Sequence, residues 1–283
     1  MSTTFAQLGV PDSITRALEA HGIIEPFAIQ AATITDALDG RDICGRAPTG
    51  SGKTLAFGIP LVATVERAEP RRPRALVLAP TRELAEQICT ELRTFAGKVR
   101  IGVIYGGVGY GPQLKALREG VDILVACPGR LEDLLDQGAL KLDAVSQVVL
   151  DEADRMADMG FMPQVEWILR RAKKDHQTLL FSATLDGMVG ALISRYQTDP
   201  VTHEVASDDV TVAEMEHRFL AVHERFTFLG HQSEYHQMTV NTKHSTRLTG
   251  NAYGTIHAAS VMMPMVERAM LSGALSSSGM KRL

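Results

Sequence analysis

The chain has 283 residues, a length that allows two domains of about 150 residues or one large α/β domain. With 45% hydrophobic and 22% charged residues it has a globular composition, which excludes a wholly disordered or fibrous protein. Lys and Arg number 29 against 33 Asp and Glu, so the net charge of -4 excludes a grip on nucleic acid through overall basicity and leaves room only for a local groove.

The opening segment MSTTFAQLGV lacks the charged and apolar regions of a secretory signal, and no apolar run reaches the roughly 18 residues of a membrane span. Cys44, Cys89 and Cys127 are odd in number and widely spaced, which suits neither a disulfide framework nor a zinc site. Reduced thiols in a cytoplasmic protein without a membrane anchor are the expectation.

From Ser13 to about Gly190 short aliphatic runs alternate with helical segments. Strands are expected at Ala75 to Leu78, Val99 to Tyr105, Ile123 to Ala126, Val148 to Leu150 and Thr178 to Phe181. Between them, Leu84, Ala85, Ile88, Leu92 and Phe95 recur at helical spacing behind Thr81, predicting a threonine-capped helix over Thr81 to Ala96; a second is expected over Pro112 to Glu119. The alternation predicts an α/β fold with a mainly parallel sheet flanked by crossover helices.

A glycine-rich stretch, Ala47, Pro48, Thr49, Gly50, Ser51, Gly52, Lys53 and Thr54, follows the strand-like Asp42 to Gly45 and precedes the helical Leu55 to Leu61. Strand, glycine turn and helix in this order form a phosphate cradle: Gly50 and Gly52 let backbone N–H groups turn inward, and the helix aims its positive end at the same charge. Lys53 is expected on the β and γ phosphates and the Thr54 hydroxyl on magnesium. The first position of the usual G-x-x-x-x-G-K-[ST] pattern is Ala47, so the loop is a variant.

Hydrolysis also needs a carboxylate that holds the metal and a positioned water. The apolar strand Val148 to Leu150 runs into Asp151, Glu152, Ala153 and Asp154. Asp151 at the carboxyl edge of the sheet is the expected magnesium anchor, Glu152 the expected general base for the lytic water, and Asp154 the residue that holds a neighbouring motif.

Asp151-Glu-Ala-Asp154 and the motifs around it, in their order along the chain, resemble the DEAD-box RNA helicases of superfamily two. Phe5 together with Gly22-Ile-Ile-Glu-Pro-Phe-Ala-Ile-Gln30 is similar to that family's adenine-reading element. The resemblance implies that Gln30 hydrogen-bonds the adenine edge, for which an amide carries both a donor and an acceptor, and that Phe5 stacks nearby. Pro80-Thr-Arg-Glu-Leu84, Gly106-Gly107 and Cys127-Pro-Gly-Arg130 resemble the elements that line the RNA path, which implies contacts from Pro80, Thr81, Arg82, Gly107, Pro128, Gly129 and Arg130 to phosphate and ribose without base reading. The alternative for Arg82 and Arg130 is a structural role in caps or ion pairs. Cys127 stands where the family carries threonine.

Ser182-Ala-Thr184 resembles the family's coupling element, with Asp154, Ser182 and Thr184 as the implied coupling residues. The implied fold is a RecA-like P-loop lobe, the implied cofactors are ATP and Mg2+, and the implied partner is RNA; ribonucleoprotein partners and the oligomeric state are left open. A different P-loop ATPase, such as a transporter or remodelling subunit, is disfavoured by the Gln30 element and by Pro80 to Leu84.

The expected division is an adenine-recognition segment over 1–31, an ATP-binding lobe over 32–205 and a truncated or divergent second-lobe entry with a poorly structured tail over 206–283. Glu216 to His223 still reads like the entry strand of a second lobe, and the resemblance stops after it. No G-R-x-G-R element, the family's source of a second-lobe arginine, follows Thr184. Slow hydrolysis and impaired unwinding are therefore expected, with a nucleotide- and RNA-binding module that does not turn over as the alternative. Seven of the nine histidines lie after residue 200, but His231 and His236 are five apart, which suits no single helical face and no metal site. Pro264 interrupts the one helical candidate of this region, Ile256 to Leu275, and Met262, Met263 and Met265 form a local apolar patch. A tail from about Glu224 that is not the family's sequence is the expected reading, as from a truncated or frame-altered member.

Overall fold

The computed structural model describes residues 3–205, and the readings made above for 206–283 lie outside them. In chain order the elements are α1 (Asp12–Ala20), α2 (Ala28–Leu38), β1 (Ile43–Arg46), α3 (Lys53–Thr64), β2 (Ala75–Leu78), α4 (Arg82–Phe95), β3 (Ile101–Ile104) and α5 (Tyr110–Glu119). There follow β4 (Ile123–Ala126), α6 (Pro128–Asp136), β5 (Gln147–Asp151), α7 (Ala153–Asp158), α8 (Met162–Leu169), β6 (Gln177–Ser182), α9 (Gly187–Tyr196) and β7 (Val201–Glu204). The strands form one sheet in the order β3-β4-β2-β5-β6-β1-β7, and every pairing in it is parallel.

A parallel sheet must be covered on both faces, and the alternation of its side chains shows how this is done. Ala75 and Val77, Ile123 and Val125, Val149, and Leu179 and Phe181 face a core shared with α1 to α4; Phe57 of α3 packs against Phe181 with ring centroids 5.6 Å apart. Leu76 and Leu78, Leu124 and Ala126, Val148 and Leu150, and Leu180 face a second core shared with α5 to α9. Continuous aliphatic runs are what such two-sided burial requires, and for this reason the five strands from β2 to β6 fall on their expected segments.

Polar side chains gather at the amino edge of the sheet. Asp42 accepts the backbone N–H groups of Thr178 and Thr198, each at 2.7 Å, and so ties the starts of β1 and β6 to the approach to β7. Asp122, 2% exposed, accepts the N–H groups of Ala68 and Arg100 at 2.8 Å and the guanidinium groups of Arg100 at 2.7 Å and Arg67 at 3.0 Å. Burial alone would raise its pKa; the hydrogen bonds from Arg100 and from the two backbone amides outweigh burial and hold the carboxyl below its ordinary value. In the middle of the edge, Gln147 donates to Thr64 Oγ1 at 2.9 Å and to Gln177 Oε1 at 3.0 Å.

The three cysteines are free, as their spacing suggests. Among the described residues no helix is long and apolar enough to cross a membrane. β7 was not among the expected strands, because Val201–Glu204 is an edge strand whose side chains alternate between half-buried and exposed.

Candidate nucleotide and RNA site

The strand ends are level. Ile104 pairs with Ala126, Ala126 with Leu78, Leu78 with Leu150, and Arg46 with Ser182, so the loops that leave the carboxyl edge start at one height. In sheet order that edge carries the loops after β3, β4 and β2, then Asp151 at the end of β5, Ser182 at the end of β6, and the glycine-rich loop after β1. Segments far apart in sequence thus become two adjoining halves of one surface, where ligands of open α/β sheets sit.

In the β1 half, Gly50 and Gly52 adopt φ of 84°, a left-handed conformation that a Cβ would strain. At Gly52 there is also no room: a Cβ would come within 2.4 Å of Gln30 Nε2 and 2.7 Å of Phe27 Cδ2. Ala47, by contrast, continues the strand. Its N–H donates to Ser182 O at 3.2 Å and its methyl is buried, so this position of the loop makes no demand for glycine and the departure from the usual pattern is accommodated.

Lys53, 7% exposed, folds its ammonium into the loop and donates to the carbonyls of Ala47 at 3.0 Å and Pro48 at 3.1 Å. Ser51 Oγ is buried with no hydrogen-bond partner, while Thr49 and Gly50 stand exposed at the rim. A caged ammonium, an unsatisfied hydroxyl and inward-turning glycines are together a fit for phosphate oxygens.

Asp151 is 2% exposed, and its carboxyl is pushed up to about 7, foremost by burial and further by Glu152 and Asp154, against the pull of Lys53. A buried carboxylate so short of counter-charge suits a cation. Asp151 with Thr54, at the first turn of α3, is the pair that would hold magnesium, which would supply positive charge beside the phosphates.

Glu152 adopts φ of 50° and ψ of 51°, a left-handed conformation costing of order 1 kcal/mol or more, and its carboxylate meets Arg155 at 3.2 Å. Asp154 and Ser182 answer each other: Asp154 N donates to Ser182 Oγ at 3.2 Å, and Asp154 Oδ2 accepts from Ala183 N at 3.3 Å. The expected link between the acidic motif and Ser182-Ala-Thr184 is therefore built at Asp154 and Ser182, whereas Thr184 stands exposed.

Gln30 lies at the start of α2, 2% exposed; its Oε1 accepts from Phe27 N at 2.9 Å and its Nε2 donates to Gly52 O at 2.9 Å. One N–H and one lone pair of the amide stay free beside the loop. Phe5 needs correction. It is 1% exposed and belongs to the core against α2, so its ring has no face for a base; the aromatic beside Gln30 and Gly52 is Phe27, 59% exposed, which the sequence reading passed over.

In the other half, Thr81 Oγ1 caps α4 by accepting from Leu84 N at 3.3 Å, with Pro80 buried just before it. Arg82 lies over the Tyr105 ring at 4.9 Å, pairs with Glu86 at 3.5 Å and remains half-exposed, free to turn to a ligand. Gly107, at φ of 80°, and Gly129 face open space. Pro128 opens α6 behind Cys127, whose thiol is pushed up to about 11 by burial, with Glu83 adding to it. Arg130 departs from the reading as a phosphate contact. Its side chain is only 10% exposed, donates to Val108 O at 3.1 and 3.2 Å and lies over Tyr110 at 4.2 Å, which is the structural role weighed as its alternative.

The DEAD/DEAH box helicase family model matches residues 27–190. The chain belongs to this family. It is 46% identical over 210 residues to DEAD-box ATP-dependent RNA helicase 3A, chloroplastic, of Zea mays, an alignment covering 72% of this chain and 28% of that protein. To DEAD-box ATP-dependent RNA helicase CshA of Bacillus licheniformis it is 41% identical over 232 residues, 81% of this chain and 47% of the relative. The crystal structure of a DEAD box protein from the hyperthermophile Methanococcus jannaschii superposes with a TM-score of 0.67 at 39% identity, covering 71% of this chain and 55% of that one. The sheet flanked by helices is thus the RecA-like lobe of DEAD-box proteins. The chain spans about a quarter to a half of the length of these two curated relatives.

Proposed function

We propose that this chain is the ATPase lobe of an ATP-dependent RNA helicase, binding MgATP in the β1 and β5 half of the carboxyl edge and single-stranded RNA in the β2, β3 and β4 half. The observation that carries this reading is the adjacency of the two halves across β2 and β5, with Leu78 and Leu150 in register. The loop N–H groups, Lys53 and the Ser51 hydroxyl hold the phosphates, with Lys53 leaving the Ala47 and Pro48 carbonyls as phosphate arrives. Magnesium, when bound, neutralises charge on the β and γ phosphate oxygens. Asp151 and Thr54 anchor it, and Glu152 orients and deprotonates the attacking water. Asp154 and Ser182 pass the state of this half to the strand end of β6. The three unpaired thiols support a reducing compartment, the cytoplasm in this reading.

RNA is held through backbone groups at Pro80, Thr81, Gly107, Pro128 and Gly129, together with Arg82. Such contacts carry no target sequence.

Phosphate release by the purified chain, measured with and without single-stranded RNA, tests the reading. RNA-stimulated turnover supports the enzyme. Nucleotide binding without turnover, at saturating RNA, leaves a second reading, a binding module that does not hydrolyse.

Two substitutions test the base subsite. Gln30→Ala removes the amide and is expected to erode the preference for ATP over GTP by about tenfold in competition binding, since a lost base-edge hydrogen-bond pair is worth about 1–3 kcal/mol; an unchanged ratio refutes the role of Gln30. Phe27→Ala is expected to weaken ATP and GTP alike by about tenfold, because a stacking face is indifferent to the base. Titration with a fluorescent nucleotide reads both.

A further inference from the structure

Tyr110, the first residue of α5, follows Val108 and Gly109 directly and is 38% exposed, although it sits at the edge of a well-packed lobe. Two contacts hold its side chain. The Arg130 guanidinium lies 4.2 Å from the ring centroid on one side, the hydroxyl donates to Asp133, and Arg130 is itself fixed by two hydrogen bonds to Val108 O and by its approach to Asp133 at 3.9 Å. The hydrogen bond to Asp133 raises the pKa of the phenol, so Tyr110 stays protonated as the donor. Tyr110 keeps this exposure in the same stretch as Gly107, Gly109 and Gly111, around whose Cβ positions no atom comes within 4 Å.

An aromatic ring left in water but stripped of its freedom is costly as a structural device and well suited as a platform, because the entropy of ordering it has been lost before any ligand arrives. We infer that Tyr110 is a base-stacking platform for single-stranded RNA: one nucleobase of the strand crossing the loops after β3 and β4 lies on the ring face opposite Arg130. Arg130 and Asp133 are positioning residues in this arrangement. Arg130 adds no phosphate contact of its own; its positive charge beneath the ring strengthens the clamp, and its bonds to Val108 O tie it to the glycine loop. The stack gives the site a contact to bases that backbone recognition lacks, tolerant of sequence yet sensitive to whether a base is present.

This inference rests on the RNA reading above, and the test separates the two. The full chain, with a saturating non-hydrolysable ATP analogue, is titrated with a short single-stranded oligoribonucleotide and with a set in which each position in turn is abasic. Wild type is expected to lose about tenfold in affinity at one position. Tyr110→Leu is expected to bind the intact strand about tenfold more weakly, to be insensitive to the abasic site at that position, and to keep the salt slope of wild type because no phosphate contact is lost. Tyr110→Trp should retain the stack. Nucleotide affinity equal to wild type shows that the Leu variant is folded, and the abasic series on wild type stands even where it is not. Wild type that binds RNA equally at every abasic position, or Tyr110→Leu that binds the intact strand as wild type does, overturns the platform while leaving RNA binding intact; absence of RNA binding by wild type overturns both readings.

Discussion

Lys53→Ala is expected to lower turnover by about 10² to 10³ and to weaken MgATP by at least about tenfold, the range seen when one preorganised donor to a charged transition state is removed. The side chain is buried, its two present acceptors are loop carbonyls, and no other ammonium or guanidinium among the described residues donates into the loop. Nothing near it can substitute for its charge. The substitution also removes the cation nearest Asp151, so that carboxyl should move further up from about 7 and magnesium should be lost along with nucleotide. Phosphate release and magnesium-dependent nucleotide titration check the two effects separately. Variant turnover within a few fold of wild type would sink the assignment of Lys53.

The largest loss of stability is expected at the opposite edge. Asp122→Ala strands the N–H groups of Ala68 and Arg100 and leaves the Arg100 and Arg67 guanidinium groups without their carboxylate, with only the carbonyls of Glu119, Ala68 and Lys98 to accept from them. Breaking a buried ion pair by removing one partner costs about 3–5 kcal/mol; Arg100 retains some access to water, so the lower end of that range applies. The pH dependence has a definite sign. A carboxyl whose folded-state pKa lies below its unfolded value of about 3.9 adds stability that is fully present above that value and disappears as pH falls through the folded pKa. Urea unfolding at neutral pH should show the full difference between wild type and Asp122→Ala, and the gap should narrow in strong acid to what an uncharged acceptor still supplies. A constant gap across that range would refute the account. Asp122→Asn, which keeps an acceptor without the charge, should fall between them.

The place of the candidate site in the fold was legible because phosphate and metal chemistry fix residue types at fixed spacing. Gly50, Gly52, Lys53 and Thr54 follow a strand-like segment and precede a helical one, which marks a strand-to-helix turn, and an aliphatic strand that ends in Asp151 delivers that carboxylate to the sheet edge. Position along the chain does not, however, report burial. Phe5 and Phe27 are both aromatic and both precede Gln30, and only the packing of residues 5–10 against α2, marked by Thr35 Oγ1 donating to Leu8 O at 3.3 Å, sends one ring into the core and leaves the other beside the loop. Arg130 was ambiguous for the same reason. A guanidinium after a strand suits a phosphate or a protein carbonyl equally, and Val108, 22 residues earlier, settles it. Asp42, Asp122 and Gln147 left no trace at all, since a lone polar residue before a strand looks like the end of a loop until its partners converge.

The placement of these last three residues divides the labour of the lobe. Ligand chemistry occupies the carboxyl edge, while Asp42, Asp122 and Gln147 fasten the amino edge, a strand length away. The polar ties of the amino edge and the candidate ligand site of the carboxyl edge are then made by different residues. A mutant library selected for survival at high temperature should collect its changes at one end of the strands and a library selected for altered nucleotide or RNA use at the other, so gains from the two could be combined with little interference.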